Sequence, residues 1–382
     1  MLKNLFSPIT IKGKTLKNRM AVAPMVTNYC NEDGTCTEMF SAYHEAKAKG
    51  GFGMIITEDF AVRPRGKGFK HLPGLWNDEQ IPGFKEFTKR IHKHDTVLIA
   101  QIYHAGRQSS KMVLGEAPQA PSAIPCPFSP DMPEELSIEE IKKIITEFGD
   151  CALRAEKAGF DGIEVHGAHG YLISQFMSSY TNKRTDEYGG SLQNRIRFAV
   201  EVVKDIRSKV SNEFIVGYRI SADEYVTGGR NIGDTMTIVP YLEEAGIDYI
   251  HVSAGVYRSF DDIIPSQYRG HSWNTNAAVE VKKITKLPVI SVGRINDPRL
   301  AETIIASGKS DIVAMGRQSL TDPETPNKAE EGRFDEIRSC IACHHGCVKN
   351  LLNNVPIQCI LNPTLGRESE VSLEKTAAPK NI

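Results

Sequence analysis

Eight short apolar segments alternate with longer amphipathic segments along this 382-residue chain, and that alternation restricts its fold more than any other feature. Continuous apolar runs of this length are typical of strands that are covered on both faces. They lie at residues 20–25, 53–58, 97–104, 162–167, 215–221, 249–255, 288–293 and 311–317. Because eight parallel strands close a (β/α)8 barrel, the sequence predicts an α/β protein of the TIM-barrel class.

The segments between these runs show the spacing of amphipathic helices. They lie at residues 37–49, 78–94, 137–158, 191–210, 234–245, 276–285 and 298–307. An open, doubly wound sheet is the alternative, but it more often has a glycine-rich first turn, and neither GxGxxG nor a P-loop occurs. A turn at Lys12-Gly13-Lys14 predicts a short hairpin before the barrel.

The composition excludes several classes of function. A hydrophobic content of 40%, a charged content of 24% and a net charge of -1 offer no electrostatic basis for binding nucleic acid or an anionic membrane. Since no long apolar run and no secretory h-region occur, we expect neither a membrane span nor secretion. The cysteine usage described next favours the reducing cytoplasm.

Four of the eight cysteines lie in one 20-residue window with the spacing C-x2-C-x3-C-x11-C. Three clustered thiolates with a distant fourth suit an iron–sulfur cluster, whereas a structural zinc site usually has a second C-x2-C knuckle. Zinc, disulfides and unrelated buried thiols remain alternatives, although nothing indicates secretion. We predict a 4Fe–4S cluster held by Cys340, Cys343, Cys347 and Cys359.

Chemistry in a barrel takes place at the carboxyl ends of the strands, and polar side chains are concentrated there. The first strand ends at Pro24-Met25-Val26, the third carries Gln101 and the fifth carries Arg219. The end of the fourth strand places His166, His169 and Tyr171 within six residues. Two histidines can present N–H donors to one oxygen, with a tyrosine as proton donor. Zinc ligation is disfavoured because HGAH lacks HExxH spacing, while each side chain taken alone could be structural.

Glycine precedes arginine at the ends of the last two strands, as Gly293-Arg294 and Gly316-Arg317. Backbone N–H groups exposed by glycine, together with arginine, can hold a phosphomonoester where barrels commonly bind one. Surface ion pairs are the alternative for both arginines. The repeated pairing favours phosphate.

The chain divides into three predicted parts: a barrel with its hairpin over 1–321, a cluster-binding segment over 322–365 and a polar tail over 366–382. The proline-rich loop over 108–136 is long enough to form a lid or pocket wall, and the loop over 256–272 should also shape the pocket.

Several long motifs resemble the flavin-dependent ene-reductases of the old yellow enzyme type. These are VAPM at 22–25, QIYHAGRQ at 101–108, HGAHGYLISQF at 166–176, TNKRTDEYGGSLQNRIRF at 181–198 and GRIND at 293–297. With the cysteine stretch, the resemblance narrows to the iron–sulfur branch that includes 2,4-dienoyl-CoA reductase, 2-enoate reductase, trimethylamine dehydrogenase and bile-acid steroid oxidoreductases. It covers residues 1–365.

The resemblance implies FMN at the barrel mouth and hydride transfer from it to a C=C bond conjugated to a carbonyl. The flavin ring would lie along Pro24, Met25 and Val26, with Gln101 on its pyrimidine and Arg219 near N1. Its phosphate would be held by Gly293, Arg294, Gly316 and Arg317. The carbonyl oxygen would bind His166 and His169, the proton would come from Tyr171, and a second catalytic side chain would be Tyr257.

This sequence departs from its relatives in two respects. Gln108 stands where many simple ene-reductases have lysine, and Asn28 and Tyr29 stand where some place a substrate-binding tyrosine. Relatives in the iron–sulfur branch continue into a domain for FAD and NAD(P)H, so the resemblance implies a further domain or a partner subunit that delivers electrons through the cluster.

The alternatives are an amine dehydrogenase of the trimethylamine dehydrogenase type, an electron-transfer subunit, or a flavin-free barrel with structural zinc. The substrate (enoate, enoyl-CoA, enone or steroid) and the oligomeric state, a homo-oligomer included, stay open at this point.

Overall fold

The fold is described from a computed structural model, which describes residues 2–371 and 378. Most of the predicted tail over 366–382 therefore lies outside the described residues.

Twelve strands occur in the described part of the chain. They are β1 (Ile9–Ile11), β2 (Lys14–Leu16), β3 (Met20–Val22), β4 (Met54–Ala61), β5 (Val97–Tyr103), β6 (Gln119–Ala120), β7 (Glu134–Glu135), β8 (Gly162–Gly167), β9 (Ile215–Ser221), β10 (Tyr249–Ser253), β11 (Val289–Val292) and β12 (Ile312–Met315). Eight of them, β3, β4, β5 and β8 to β12, form a closed parallel barrel in chain order. The TIM-barrel prediction is confirmed.

Thirteen α-helices occur in the same described residues. They are α1 (Glu38–Lys49), α2 (Ile81–His92), α3 (Lys111–Leu114), α4 (Ile138–Lys157), α5 (Leu172–Met177), α6 (Leu192–Lys209), α7 (Ile232–Ala245), α8 (Phe260–Ile263), α9 (Thr275–Lys282), α10 (Pro298–Ala306), α11 (Arg317–Thr321), α12 (Thr325–Glu330) and α13 (Val348–Leu352). Short 3-10 turns lie at Pro64–Gly66, Asp78–Gln80, Tyr257–Ser259 and Phe334–Glu336. None of these helices combines the length and the hydropathy needed to span a bilayer.

Helix α4 illustrates how the sequence builds the outer layer. Its buried residues include Ile141, Ile144, Ile145 and Phe148, whose three- and four-residue spacing forms one apolar face against the strands. The helix begins at Ser137, whose hydroxyl accepts a hydrogen bond from the backbone N–H of residue 140 at 3.2 Å. A capped amphipathic helix of this kind covers the outer face of a buried parallel strand.

The inside of the barrel is filled at its amino-terminal end. The β1–β2 hairpin contributes Ile11 and Leu16 to a buried cluster with inward-facing side chains of the barrel strands. Tyr249 also points inward and lies over Gly217, where an added Cβ would come within 2.0 Å of the tyrosine ring. The hairpin and this interior layer close one end and leave the carboxyl end for a site.

The segment after β12 packs back onto the barrel beside the loop that follows β3. The Tyr29 hydroxyl donates to the carbonyl of Ile357 at 2.7 Å, and the Ile357 N–H donates to the carbonyl of Thr27 at 3.0 Å. Asn28 donates to the carbonyl of Val355 at 3.3 Å. Asn28 and Tyr29 therefore anchor the cysteine-containing segment.

Candidate active site

A cleft of about 1310 Å³, its open mouth included, lies at the carboxyl ends of the barrel strands. Every predicted catalytic and cofactor-binding residue lines it: Pro24, Met25, Val26, Gln101, His166, His169, Tyr171, Arg219, Tyr257, Gly293, Arg294, Gly316 and Arg317. The structure thus brings these residues together, while the roles assigned to them remain predictions.

His166 and His169 form the polar centre of the cleft, with ring centroids 5.0 Å apart and ring planes at 81°. Nδ1 of His166 accepts from the backbone N–H of Ala168 at 3.3 Å, so its proton lies on Nε2. Nε2 of His169 lies 2.7 Å from the Ser253 hydroxyl. Burial, followed by the charge of Arg219, lowers the pKa of both histidines well below the ordinary value, so both are neutral N–H donors at neutral pH.

A sharp turn after β8 places Tyr171 above this pair. His169 and Gly170 both have positive φ, 59° and 80°, and the His169 N–H donates to the Ser221 hydroxyl at 2.9 Å. The Tyr171 ring centre then lies 4.8 Å from that of His166.

The Tyr171 hydroxyl lies 3.1 Å from the Tyr257 hydroxyl. Burial, and then the charge of Tyr257, raises the pKa of Tyr171 well above its ordinary value. The phenol therefore keeps its proton across the physiological range and can serve as an acid.

A buried network beneath the cleft fixes the orientation of Gln101. Its Nε2 donates to Glu164 at 2.6 Å, and Glu164 also accepts from the Tyr249 hydroxyl at 3.1 Å and contacts Nδ1 of His251 at 3.0 Å. Because an ionised carboxylate only accepts, the amide nitrogen of Gln101 must face it. Burial would raise the pKa of Glu164, but His251 and the other donors outweigh burial and hold that pKa low.

Two buried polar atoms on residues that line the cleft have no hydrogen-bond partner within residues 2–371 and 378: the Oε1 acceptor of Gln101 and the Nε–H donor of Arg219. An unpaired buried donor or acceptor is costly, so such atoms indicate a missing ligand. A flavin offers a pyrimidine N–H for the first and a site of negative charge for the second. The residues present therefore fit a bound flavin.

Arg294 and Arg317 lie at the opposite side of the cleft, after β11 and β12. Arg294 donates to the carbonyls of Gln267, at 3.0 Å, and of Arg269, whereas Arg317 donates to Nε2 of His344 at 2.6 Å. Within the described residues neither arginine pairs with a carboxylate, so surface ion pairing does not account for them. A phosphate role remains the prediction.

Asp59 is a cleft residue that the sequence analysis missed. Strand β4 continues past the predicted end at residue 58, through a bulge between Ile56 and Asp59, to Ala61. The Asp59 side chain lines the cleft, and its Oδ1 lies 3.9 Å from Nε2 of His166. The adjacent acids Glu58 and Asp59 at the end of an apolar run were the available signal.

Loops and the C-terminal segment supply the apolar walls. The predicted pocket loop over 256–272 lines the cleft through Tyr257, Phe260, Ile263, Ile264 and Pro265. The 108–136 loop packs behind this wall, since the Phe128 ring lies 5.7 Å from Tyr257 and 5.5 Å from Phe260. The cysteine-containing segment adds Val348, Leu351, Leu352 and Ile357, a contribution with no sequence signal.

Cys340, Cys343, Cys347 and Cys359 line one second cavity and are free thiols. Among the described residues no group of three or more His, Cys, Asp or Glu side chains is arranged to hold a metal ion. The four cysteines share this one cavity, and a 4Fe–4S cluster held by them remains a prediction.

This cavity and the cleft share a wall. Residues that line both are Arg317, Leu320, Cys340, Ala342 and Cys347. The Cys340 N–H is held by Gln318 at 2.9 Å, directly after Arg317. Two of the four cysteines, Cys340 and Cys347, therefore lie in the wall between the two cavities.

The family model for the NADH:flavin oxidoreductase / NADH oxidase family matches residues 4–336. The chain belongs to this family. It is 44% identical over 381 residues to the NADH oxidase of Thermoanaerobacter brockii, an alignment that covers 99% of this chain and 58% of that protein. It is 36% identical over 402 residues to the cinnamate reductase of Clostridium sporogenes, covering 100% of this chain and 60% of that protein.

Among solved structures, a complex of 2-naphthoyl-CoA reductase with 2-naphthoyl-CoA matches with a TM-score of 0.93 and 32% identity. The match covers 97% of this chain and 58% of that one. The chain thus spans somewhat more than half the length of these relatives. The resemblance stated from the motifs is confirmed at the level of the family, and membership supports FMN as the cofactor.

Proposed function

We propose that this chain is an FMN-dependent ene-reductase that saturates a C=C bond conjugated to a carbonyl. The observation that carries the proposal is the convergence of two neutral histidine donors and a protonated tyrosine in a cleft that also presents Gln101 and Arg219. Two similar proteins are named reductases of cinnamate and of 2-naphthoyl-CoA, which supports an unsaturated acyl substrate.

Each residue has a defined task in this proposal. FMN, when bound and reduced, supplies the hydride. Nε2–H of His166 and the free ring N–H of His169 donate to the substrate carbonyl oxygen and stabilise the negative charge that develops there. When the Ser253 hydroxyl donates to Nε2 of His169, the His169 proton lies on Nδ1, which makes both histidines donors.

Tyr171 donates the proton to the substrate α-carbon. Its hydrogen-bond partner Tyr257 then gives a proton back to the Tyr171 hydroxyl. Arg219 would balance the negative charge of a reduced flavin, and Oε1 of Gln101 would accept a hydrogen bond from its pyrimidine N–H. The phosphate is assigned to Gly293, Arg294, Gly316 and Arg317, and the isoalloxazine edge to Pro24, Met25 and Val26.

In this proposal the four cysteines of the second cavity would hold a 4Fe–4S cluster, which would pass electrons from NAD(P)H to the FMN site. A FAD/NAD(P)H domain or subunit delivers them. The proposed units are the barrel over 1–321, the cluster segment over 322–365 and a tail over 366–382. Free thiols and a cluster suit the cytoplasm, which is the proposed location.

The first experiment is anaerobic loading with FMN, iron and sulfide, followed by photoreduction and mixing with cinnamaldehyde or 2-cyclohexenone. We expect stoichiometric reoxidation of the flavin, read from its absorbance, and about four irons per chain. Failure of a broad panel of enones and enals to reoxidise the flavin would overturn the proposal. Flavin reduction by trimethylamine would instead favour an amine dehydrogenase.

A further inference from the structure

Asp59 is a buried carboxyl that faces the cleft and has no hydrogen-bond partner in the described part of the chain. The residue is 3% exposed, it lies in register with Gln101 on β5, and it lines the cleft. Among the described residues no donor makes a hydrogen bond to its carboxyl oxygens. Its Oδ1 lies 3.9 Å from Nε2 of His166, the atom assigned above to the substrate carbonyl.

The charged groups around Asp59 leave its own charge uncompensated. Arg219 on β9 is the cation that faces Asp59. Glu164 on β8 interacts with the same guanidinium, so the positive charge of Arg219 is already balanced by the Glu164 carboxylate. The remaining titratable neighbours are neutral at pH 7. They are His166 on β8, Tyr171 after β8, Tyr103 on β5 and Tyr257 in the turn after β10. Glu58 on the same strand accepts from Thr27 and does not line the cleft.

A substrate oxygen that accepts from Nε2 of His166 must lie near this carboxyl. With a hydrogen bond of about 2.9 Å, that oxygen is at most about 6.8 Å from Oδ1 of Asp59, the sum of the two distances. Inside a desolvated cleft, two negative charges at this separation repel much more strongly than they do in water.

We propose that Asp59 is a specificity-determining residue that restricts the substrate to uncharged carbonyl compounds, such as thioesters, ketones and aldehydes, and discriminates against free carboxylates. The inference rests on the proposed function, because it uses the histidine pair as the carbonyl site.

The discrimination should depend on pH. Burial, reinforced by Glu164 and opposed by Arg219, raises the pKa of Asp59 to about 7. At pH 6 most of the carboxyl is protonated and the repulsion is reduced, whereas at pH 8 most of it is ionised. Because a carboxylic acid ligand with a pKa near 4.3 is ionised throughout this range, a change in selectivity reports the protein group.

A matched pair of ligands tests this directly. Each ligand, 3-phenylpropanamide or 3-phenylpropanoate, is titrated into the FMN-loaded protein, and its dissociation constant is obtained from the change in flavin absorbance. The titrations are made at pH 6 and pH 8 with wild type, Asp59→Asn and the control Glu58→Gln. The two ligands have the same size and differ in charge. Reoxidation of the photoreduced flavin by cinnamaldehyde is measured in parallel.

We expect wild type and Glu58→Gln to prefer the amide about tenfold or more at pH 8, with a smaller preference at pH 6. In Asp59→Asn the preference should fall at least threefold at pH 8 and lose its pH dependence. An unchanged preference in Asp59→Asn, or a wild-type preference that does not change with pH, overturns the inference. Absence of reoxidation by cinnamaldehyde in all three proteins overturns the proposed function, and the binding ratios then still decide the role of Asp59.

Discussion

Replacing Tyr171 by phenylalanine tests the proton-transfer step with little disturbance of the fold. The ring stays in its place, edge-on to His166 and to Tyr103, whose centroids lie 4.8 Å and 5.0 Å away. The hydrogen bond to the Tyr257 hydroxyl, 3.1 Å long, is lost. A buried hydrogen bond of this kind contributes about 1 kcal/mol to stability, so the thermal midpoint should fall by only about 2 °C.

The kinetic effect should be far larger. A positioned general acid accelerates a reaction by about 10²–10⁴-fold, which corresponds to about 2.7–5.4 kcal/mol of transition-state free energy. Because Tyr257 lies one hydrogen bond away, it can deliver the proton partly in place of Tyr171. We therefore expect the lower end for Tyr171→Phe, about 10²-fold, a loss of about tenfold for Tyr257→Phe, and a double variant slower than either.

The assay is stopped-flow reoxidation of photoreduced, FMN-loaded protein by 2-cyclohexenone without oxygen, repeated in deuterium oxide. Flavin content and photoreduction serve as internal controls, since neither uses the phenol. The wild-type solvent isotope effect should change in Tyr171→Phe. A loss below tenfold in both Tyr171→Phe and the double variant would refute the assignment and favour an electron-transfer subunit, in which this residue has no task.

Three further predictions concern the cluster, the flavin and stability. Single Cys→Ser variants at each of the four predicted ligands should lose iron and sulfide but keep FMN. The control Cys151→Ser, at a cysteine buried in α4, should keep the iron, the sulfide and the FMN. Unchanged iron content in all four ligand variants would exclude these cysteines as ligands. Arg219→Gln should lower the flavin midpoint potential by on the order of 50 mV, since a buried cation is removed, and an unchanged potential would contradict its placement near the reduced ring. Burial, aided by Asp59 and opposed by hydrogen bonds from Thr27, raises the pKa of Glu58 to about 8. Between about pH 4.3 and pH 8 the folded chain therefore keeps a proton on Glu58 that the unfolded chain has released. The free energy of unfolding should therefore fall as pH rises from about 4.3 to 8, and urea denaturation at several pH values should show a weaker fall in Glu58→Gln; parallel profiles would contradict this.

Most of the barrel could be predicted because its strands are buried on both faces. Two predicted strands, at 162–167 and 215–221, have the observed bounds, and the other six differ from β3, β4, β5, β10, β11 and β12 only at their ends. The cleft residues converge for a topological reason, since the carboxyl ends of all eight parallel strands meet at one rim.

What escaped prediction depends on details of the backbone geometry and on long-range contacts. Asp59 joins the cleft only because a bulge carries β4 beyond the apolar run, and acidic residues normally end a predicted strand. The proton position on His166 depends on the backbone N–H of Ala168. Leu351 and Ile357 join the wall because Tyr29, more than 300 positions earlier in the chain, holds their segment against the barrel.

The hairpin that closes the amino-terminal end of the barrel has a kinetic consequence. With Ile11 and Leu16 sealing that end, a molecule that reduces the flavin by direct contact must use the same mouth as the substrate. The two would then exclude each other, with ping-pong kinetics and inhibition at high substrate concentration. Electrons that arrive through the shared wall of Arg317 and Cys340 need no such alternation. A donor of that kind could reduce the flavin while the substrate stays bound, and the order of addition in steady-state kinetics would distinguish the two routes.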